Sequence, residues 1–179
     1  MWSSKQDTKE VQTEKSHSLD HAFVECDEYM FRTGPRTLPQ GINYKAGSDW
    51  YCLSRDFIQY LTSHYNDPLL NGLMSVANYT VSATETFFLT ALKNSKFCTT
   101  HFNSNLRLTN WDMSFKKGCH CYRPSADWCG CSPLVFTAKD LDRIKKAKNK
   151  FFGRKFDATM STSVLNVIDR NIFGINRSS

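Results

Sequence analysis

Apolar residues in this chain arrive in short bursts, and glycine, proline or Asx/Ser signals separate them. That pattern limits the fold to short elements packed on one another. No burst approaches the ~18 residues needed to cross a bilayer. The cluster from Phe23 to Phe31 is broken by Thr33-Gly34-Pro35, and Pro39-Gln40-Gly41 and Gly47-Ser48 mark further loops. Helical spacing begins near Ser54, with Phe57, Ile58, Tyr60 and Leu61 on one face. Asp67-Pro68 reads as an N-cap followed by proline at the first helical position, opening a helix through Met74. Ser82-Ala-Thr-Glu85 opens another, with Phe87, Phe88, Ala91 and Leu92 as its buried face.

Leu106 to Trp111 alternates as a strand does. Thr137 is expected to cap a helix carrying Leu141, Ile144 and Ala147 inward, Phe151–Phe156 reads as a short strand, and Thr162 to Ile172 as a last helix on Val164, Leu165, Val167 and Ile168. Helices alternating with short strands imply a mixed α/β fold. With 179 residues, 40% of them hydrophobic, there is material for one packed domain over residues 19–174. Residues 1–18 are polar and aperiodic, the composition of a disordered tail, and residues 175–179 form a second tail. The first residues hold no apolar stretch of the kind a secretion signal needs.

Charge is concentrated. Between Lys139 and Lys155 eight cations face two anions, which accounts for the whole formal charge of +6. A focused basic patch suits an anionic ligand better than general nucleic-acid coating, although a solvated lysine-rich helix face has the same count.

Cysteine is concentrated too. Of seven cysteines, four fall in one run, Cys119-His-Cys121 and Cys129-Gly-Cys131, while Cys26, Cys52 and Cys98 stand apart. Zinc sites usually bring ligands as Cys-x-x-Cys. Cys-x-Cys on an extended segment points both sulfurs to one face, which favours cross-strand bonds over zinc. A disulfide-stapled loop and an oxidising compartment are the expectation, with one thiol left over. Asn78-Tyr-Thr80 and Asn176-Arg-Ser178 fit the N-glycosylation pattern.

Several segments taken in order resemble one family. They are Phe23-Val-Glu-Cys-Asp-Glu-Tyr-Met-Phe-Arg32, Gly47-Ser-Asp-Trp50 with Leu53-Ser-Arg55, and Ala83-Thr-Glu-Thr-Phe-Phe88. Asn105-Leu-Arg-Leu-Thr-Asn-Trp111, Asp127-Trp-Cys-Gly-Cys-Ser-Pro133 and Phe152-Gly-Arg-Lys-Phe156 complete the set. Together they resemble the protein O-xylosyltransferases, whose wider family includes the mucin-core branching N-acetylglucosaminyltransferases. The resemblance implies part of a GT-A type glycosyltransferase domain, its second half, without the uridine-binding strands or the membrane anchor. An isolated chain of that kind is expected to be inactive or nearly so.

The resemblance also implies roles. Inverting transfer of xylose from UDP-xylose to serine needs a base to take the hydroxyl proton, and Glu85 in Ala-Thr-Glu-Thr-Phe-Phe holds that position. Ser82-x-x-Glu85 is equally a capping-box pattern. Arg154 and Lys155 would hold the diphosphate of the donor, where charge builds as the bond breaks. On a strand, adjacent side chains point to opposite faces, so both can serve only if the strand ends there. Asp49 would hydrogen-bond the transferred sugar, Ser48 beside it is a substrate-binding position, and Trp50 would line the acceptor peptide unless it is core packing. Arg107 and Trp111 read as strand and core positions. The lone Asp-x-Asp, Asp140-Leu-Asp142, reads as a capping feature and not a metal motif.

No metal or cofactor is required by any motif, although a divalent cation is compatible with the chemistry. The implied partners are the UDP-sugar and an acidic Ser-Gly segment of a proteoglycan core protein, attracted by Lys116, Lys117 and Arg123. Nucleic acid is not implied, and a membrane only through an N-terminal anchor in a type II protein of the Golgi or endoplasmic reticulum lumen. The resemblance favours nested bonds, Cys119 with Cys131 and Cys121 with Cys129, although the spacing admits three pairings. Two other readings compete: a branching N-acetylglucosaminyltransferase, and a non-catalytic stapled or zinc-bound interaction module.

Overall fold

In a computed structural model the described residues are 19–27, 29–63, 66–104, 106–111, 132–172 and 174. The four clustered cysteines, both tails, and Lys116, Lys117 and Arg123 lie outside them. The described residues divide into two compact units, one of residues up to 104 and one of residues from 106 onward.

The first unit opens with an antiparallel hairpin of β1 (His21–Cys26) and β2 (Tyr29–Pro35), paired from Cys26↔Tyr29 to His21↔Pro35 with an irregularity between His21 and Phe23. The aromatic cluster is therefore split at Asp27, whose φ of 48° supplies the reversal, and not at Thr33-Gly34-Pro35. Aspartate tolerates this left-handed region because its short side chain can bond locally. Arg36, just past β2, ties the hairpin to Leu19 and to the Val76–Thr80 segment. Its Nε donates to the Leu19 carbonyl (2.7 Å), Nη1 to the Val76 carbonyl (3.0 Å), and Nη2 to the Thr80 hydroxyl (2.6 Å).

Three helices form the rest: α1 (Arg55–Ser63), α2 (Pro68–Ala77) and α3 (Thr84–Lys93). Ser54 starts α1, its hydroxyl accepting from the Phe57 N–H (3.3 Å). The Asp67 carboxylate caps α2 through the Leu69 and Leu70 N–H groups (2.8 and 3.2 Å), with Pro68 at the first position, and the helix runs three residues past Met74. The core joins Leu19, Tyr44, Phe57, Tyr60, Leu70, Leu73 and Ala91. Phe57 and Tyr60 each meet Phe97 in tilted or edge-on ring contacts at 5.4 and 5.5 Å. Ile58, expected on the inner face of α1, is exposed.

The second unit pairs β3 (Arg107–Thr109) with β4 (Phe152–Arg154) in parallel, Thr109 opposite Arg154. Between them lie a 3-10 turn (Ala138–Asp140) and α4 (Leu141–Lys146), and α5 (Thr162–Ile172) comes after β4. Thr137 and Asp140 form a capping box, with the Asp140 carboxylate accepting from the Thr137 N–H at 2.9 Å. Leu141, Ile144 and Ala147 are the half-buried positions here, as their spacing predicts. Phe136, Val164 and Ser161 are fully buried, and the Ser161 hydroxyl donates to the Phe136 carbonyl at 2.6 Å.

Candidate functional site

The segment from Asn43 to Tyr51 has no regular secondary structure, yet it is fixed along α3 at four levels. Asn94 grips Asn43 twice, its Oδ1 accepting from the backbone N–H and its Nδ2 donating to the carbonyl, both 2.9 Å. The Thr90 hydroxyl, fully buried, accepts from the Lys45 N–H and donates to the Lys45 carbonyl, both 3.0 Å. The Gly47 N–H donates to the Glu85 carbonyl at 2.8 Å, and the Tyr51 hydroxyl donates to the Thr84 carbonyl at 2.8 Å.

The register has a simple geometric origin. Two residues of extended chain advance about 6.6 Å, and four or five residues of helix advance about 6.0–7.5 Å. Steps of two along the segment (Asn43, Lys45, Gly47) therefore meet steps of four and five along the helix (Asn94, Thr90, Glu85). The same close approach shows at Gly47, where a Cβ would lie 3.3 Å from Leu89 Cδ2 and would need that side chain to shift by a few tenths of an ångström.

This track delivers Ser48, Asp49 and Trp50 to the first turn of α3, where Glu85 stands. Ser48 turns the tip, its hydroxyl accepting from the Trp50 N–H at 3.1 Å. Ser48 and Glu85 are half-buried, whereas Asp49 and Trp50 are exposed. Trp50 is 39% exposed, which removes the core-packing reading. The Tyr51 ring lies on Phe88 with centroids 5.2 Å apart. Burial first, then the charges of Glu85 and Asp49, push the Tyr51 phenol above its ordinary pKa, so both carboxylates act on that hydroxyl and it stays protonated.

The helix start itself departs from a capping box. Ala83 occupies the N-cap position with no side-chain cap bond, and Ser82 meets Glu85 through its carbonyl (2.9 Å) from a left-handed backbone, φ 52°. The first unit thus gathers Ser48, Asp49, Trp50 and Glu85, and adds Tyr51 and Thr84, which the sequence reading missed. Their signal was present in the tyrosine directly after Asp49-Trp50, but pairing it with Thr84 requires a contact across 33 positions.

The second unit holds Arg154 and Lys155. β4 ends at Arg154, so Lys155 lies beyond the strand and strict alternation does not bind it. Both are half-buried, and the Lys155 carbonyl accepts from the Phe136 N–H at 2.8 Å. Gly153 lies under two rings: an added Cβ would come 2.8 Å from Phe156 Cε2 and 3.7 Å from Phe136 Cε2. The Phe-Gly-Arg-Lys-Phe segment is thereby folded back on itself, Phe156 against Phe136 at 5.2 Å. Arg107 lies on β3 with its guanidinium 5.9 Å from the Phe152 ring centroid. Trp111 is exposed and not a core position, because β3 stops at Thr109 before it. Asp140 is consumed by capping and by the Asn110 amide (3.3 Å), which supports the reading of Asp140-Leu-Asp142 as structural.

Cys26, Cys52 and Cys98 are free and exposed. No described helix is long and apolar enough to cross a membrane.

Comparison with known proteins adds the family. Xylosyltransferase 2 of Homo sapiens is 42% identical over 162 residues, covering 89% of this chain and 18% of its own length. Xylosyltransferase oxt of Drosophila melanogaster is 42% identical over 164 residues, with the same shares, and Xylosyltransferase 1 of Canis lupus familiaris is 40% identical over 162 residues. The chain thus spans 17–18% of the length of the curated relatives it matches. The family model described as Core-2/I-Branching enzyme matches residues 1–145, a stretch that takes in the whole track from Asn43 to Asn94, and the chain belongs to that family.

Proposed function

We propose that the protein carrying this chain transfers xylose from UDP-xylose to serine of proteoglycan core proteins, starting a glycosaminoglycan chain, in the lumen of the Golgi or endoplasmic reticulum. The observation that carries the reading is the seating of the Gly47–Trp50 loop on the backbone of Glu85, joined to similarity with xylosyltransferases at 40–42% identity.

In this reading Glu85 is the base. Its carboxylate takes the proton of the acceptor serine hydroxyl as that oxygen attacks the anomeric carbon. The new C–O bond forms on the face opposite the leaving diphosphate, so configuration inverts, and UDP departs with the bonding electron pair. Negative charge grows on the departing oxygen. Arg154, a planar fork, and Lys155, a point charge, are the groups assigned to it. Ser48 and Asp49 grip the sugar hydroxyls, and the exposed indole of Trp50 walls the acceptor, an acidic Ser-Gly peptide.

The test is Glu85→Gln in the full-length protein, assayed for label transfer from UDP-xylose to such a peptide. Glutamine keeps the shape and removes the base. The rate is expected to fall by about 10²–10⁴-fold with donor binding retained. A variant within a few-fold of the parent would remove Glu85 from the chemistry. Preferential use of UDP-N-acetylglucosamine by the parent would replace xylosyl transfer with branching N-acetylglucosaminyl transfer, the reading that the family name alone also allows.

A further inference from the structure

We propose that Tyr51 is a positioning residue for the transfer reaction, acting as the second of two anchors that hold the Ser48–Trp50 loop on either side of the Glu85 Cα. The proposal rests on the function proposed above.

The geometry is a closed loop. At its start, the Gly47 N–H donates to the carbonyl of Glu85 at 2.8 Å. At its end, the Tyr51 hydroxyl donates to the carbonyl of Thr84, the residue before Glu85, also at 2.8 Å. These carbonyls flank the Glu85 Cα, so the base and the loop share one backbone frame. Between the anchors lie only Ser48, Asp49 and Trp50, and the tip is drawn in by the Trp50 N–H on the Ser48 hydroxyl at 3.1 Å. The Tyr51 ring is itself held on Phe88, one turn further along α3, at 5.2 Å. A carbonyl oxygen has two lone pairs, so Thr84 can accept the phenol without giving up its place in the helix. A phenol is protonated in the neutral range already, and burial first, then the charges of Glu85 and Asp49, oppose its ionisation further, so it remains a donor.

Without the phenol the loop keeps the Gly47 anchor and becomes a flap hinged at one end. Reacting groups misplaced by about 1 Å lose on the order of 10²-fold in rate, and a one-sided release is expected to cost less than that. Tyr51→Phe removes the hydroxyl and keeps the ring on Phe88, leaving Glu85, Asp49 and Trp50 in place chemically.

In the full-length protein, Tyr51→Phe is expected to lower kcat about tenfold while KM for UDP-xylose stays within about twofold. Amide hydrogen exchange at Trp50 should rise, and exchange at Gly47, the retained anchor, and at Lys45, fixed separately by Thr90, should match the parent. A general loss of stability would raise all three amides together, and that result overturns the proposal. Parent-like kcat with loosened amides, or a fall in kcat with unchanged amides, overturns it as well. Should the parent protein transfer no xylose, the proposed function fails on its own, and the exchange pattern alone decides whether Tyr51 anchors the loop.

Discussion

Gly153 has no room for a side chain because two aromatic rings already occupy it, with Phe156 Cε2 at 2.8 Å from where a Cβ would sit. Gly153→Ala must push the Phe156 ring off Phe136 or shift β4. The ring is partly exposed and can yield, so the cost is expected at the low end for overpacking, about 1–2 kcal/mol in urea unfolding. Unchanged stability would mean that Phe156 moves without resistance. The glycine was visible in Phe-Gly-Arg-Lys-Phe, but its reason was not, since Phe136 comes from 17 residues earlier. Trp50 and Trp111 show the same limit from the other side. Both were open to a core reading by residue type, and both are exposed, at 39% and 46%. A tryptophan carries a large apolar area wherever it stands; only its neighbours decide whether water is removed from it.

At the scale of elements, caps and periods did what local chemistry predicts. Asp67-Pro68 starts α2 as expected, and α5 spans Thr162–Ile172 with Val164 buried. The face of α1 was less accurately read, because its mixed apolar and polar residues leave Ile58 on either flank until packing chooses Phe57 and Tyr60. Within the segment from Asn43 to Tyr51 the sequence marks only a loop at Gly47–Trp50. The segment's order comes from α3, above all from Thr90, whose single hydroxyl satisfies both polar groups of Lys45. Thr90→Val preserves shape but strands a donor and an acceptor, and should destabilise by about 2–4 kcal/mol. Thr90→Ser keeps the hydroxyl and loses one methyl, about 1 kcal/mol. If valine costs no more than serine in denaturant titrations, the hydroxyl does not hold the track.

For the whole molecule, the charge map is the broadest constraint. The eight cations between Lys139 and Lys155 equip the second unit, and Lys145, Lys146, Lys148 and Lys150 are exposed in the stretch of sequence that leads into the strand ending at Arg154. Exposed charges act over a Debye length of about 8 Å at 0.15 M salt. Under the function proposed above, KM of the full-length protein for UDP-xylose should rise with ionic strength, and the combined change of Lys145, Lys146 and Lys148 to Gln should flatten that dependence. A slope equal to the parent's would assign these lysines to a solvated face alone. By itself the sequence determined the mixed α/β character, the helix starts, the charge of the second unit and the resemblance that named Glu85, because caps, turns and periodicity act between residues a few positions apart. Tertiary structure alone decided that the Ser48–Trp50 loop is held at its two ends on the carbonyls of Glu85 and Thr84. Its anchors join residues 33 and 38 positions apart, and no local pattern encodes which carbonyl a distant hydroxyl will find.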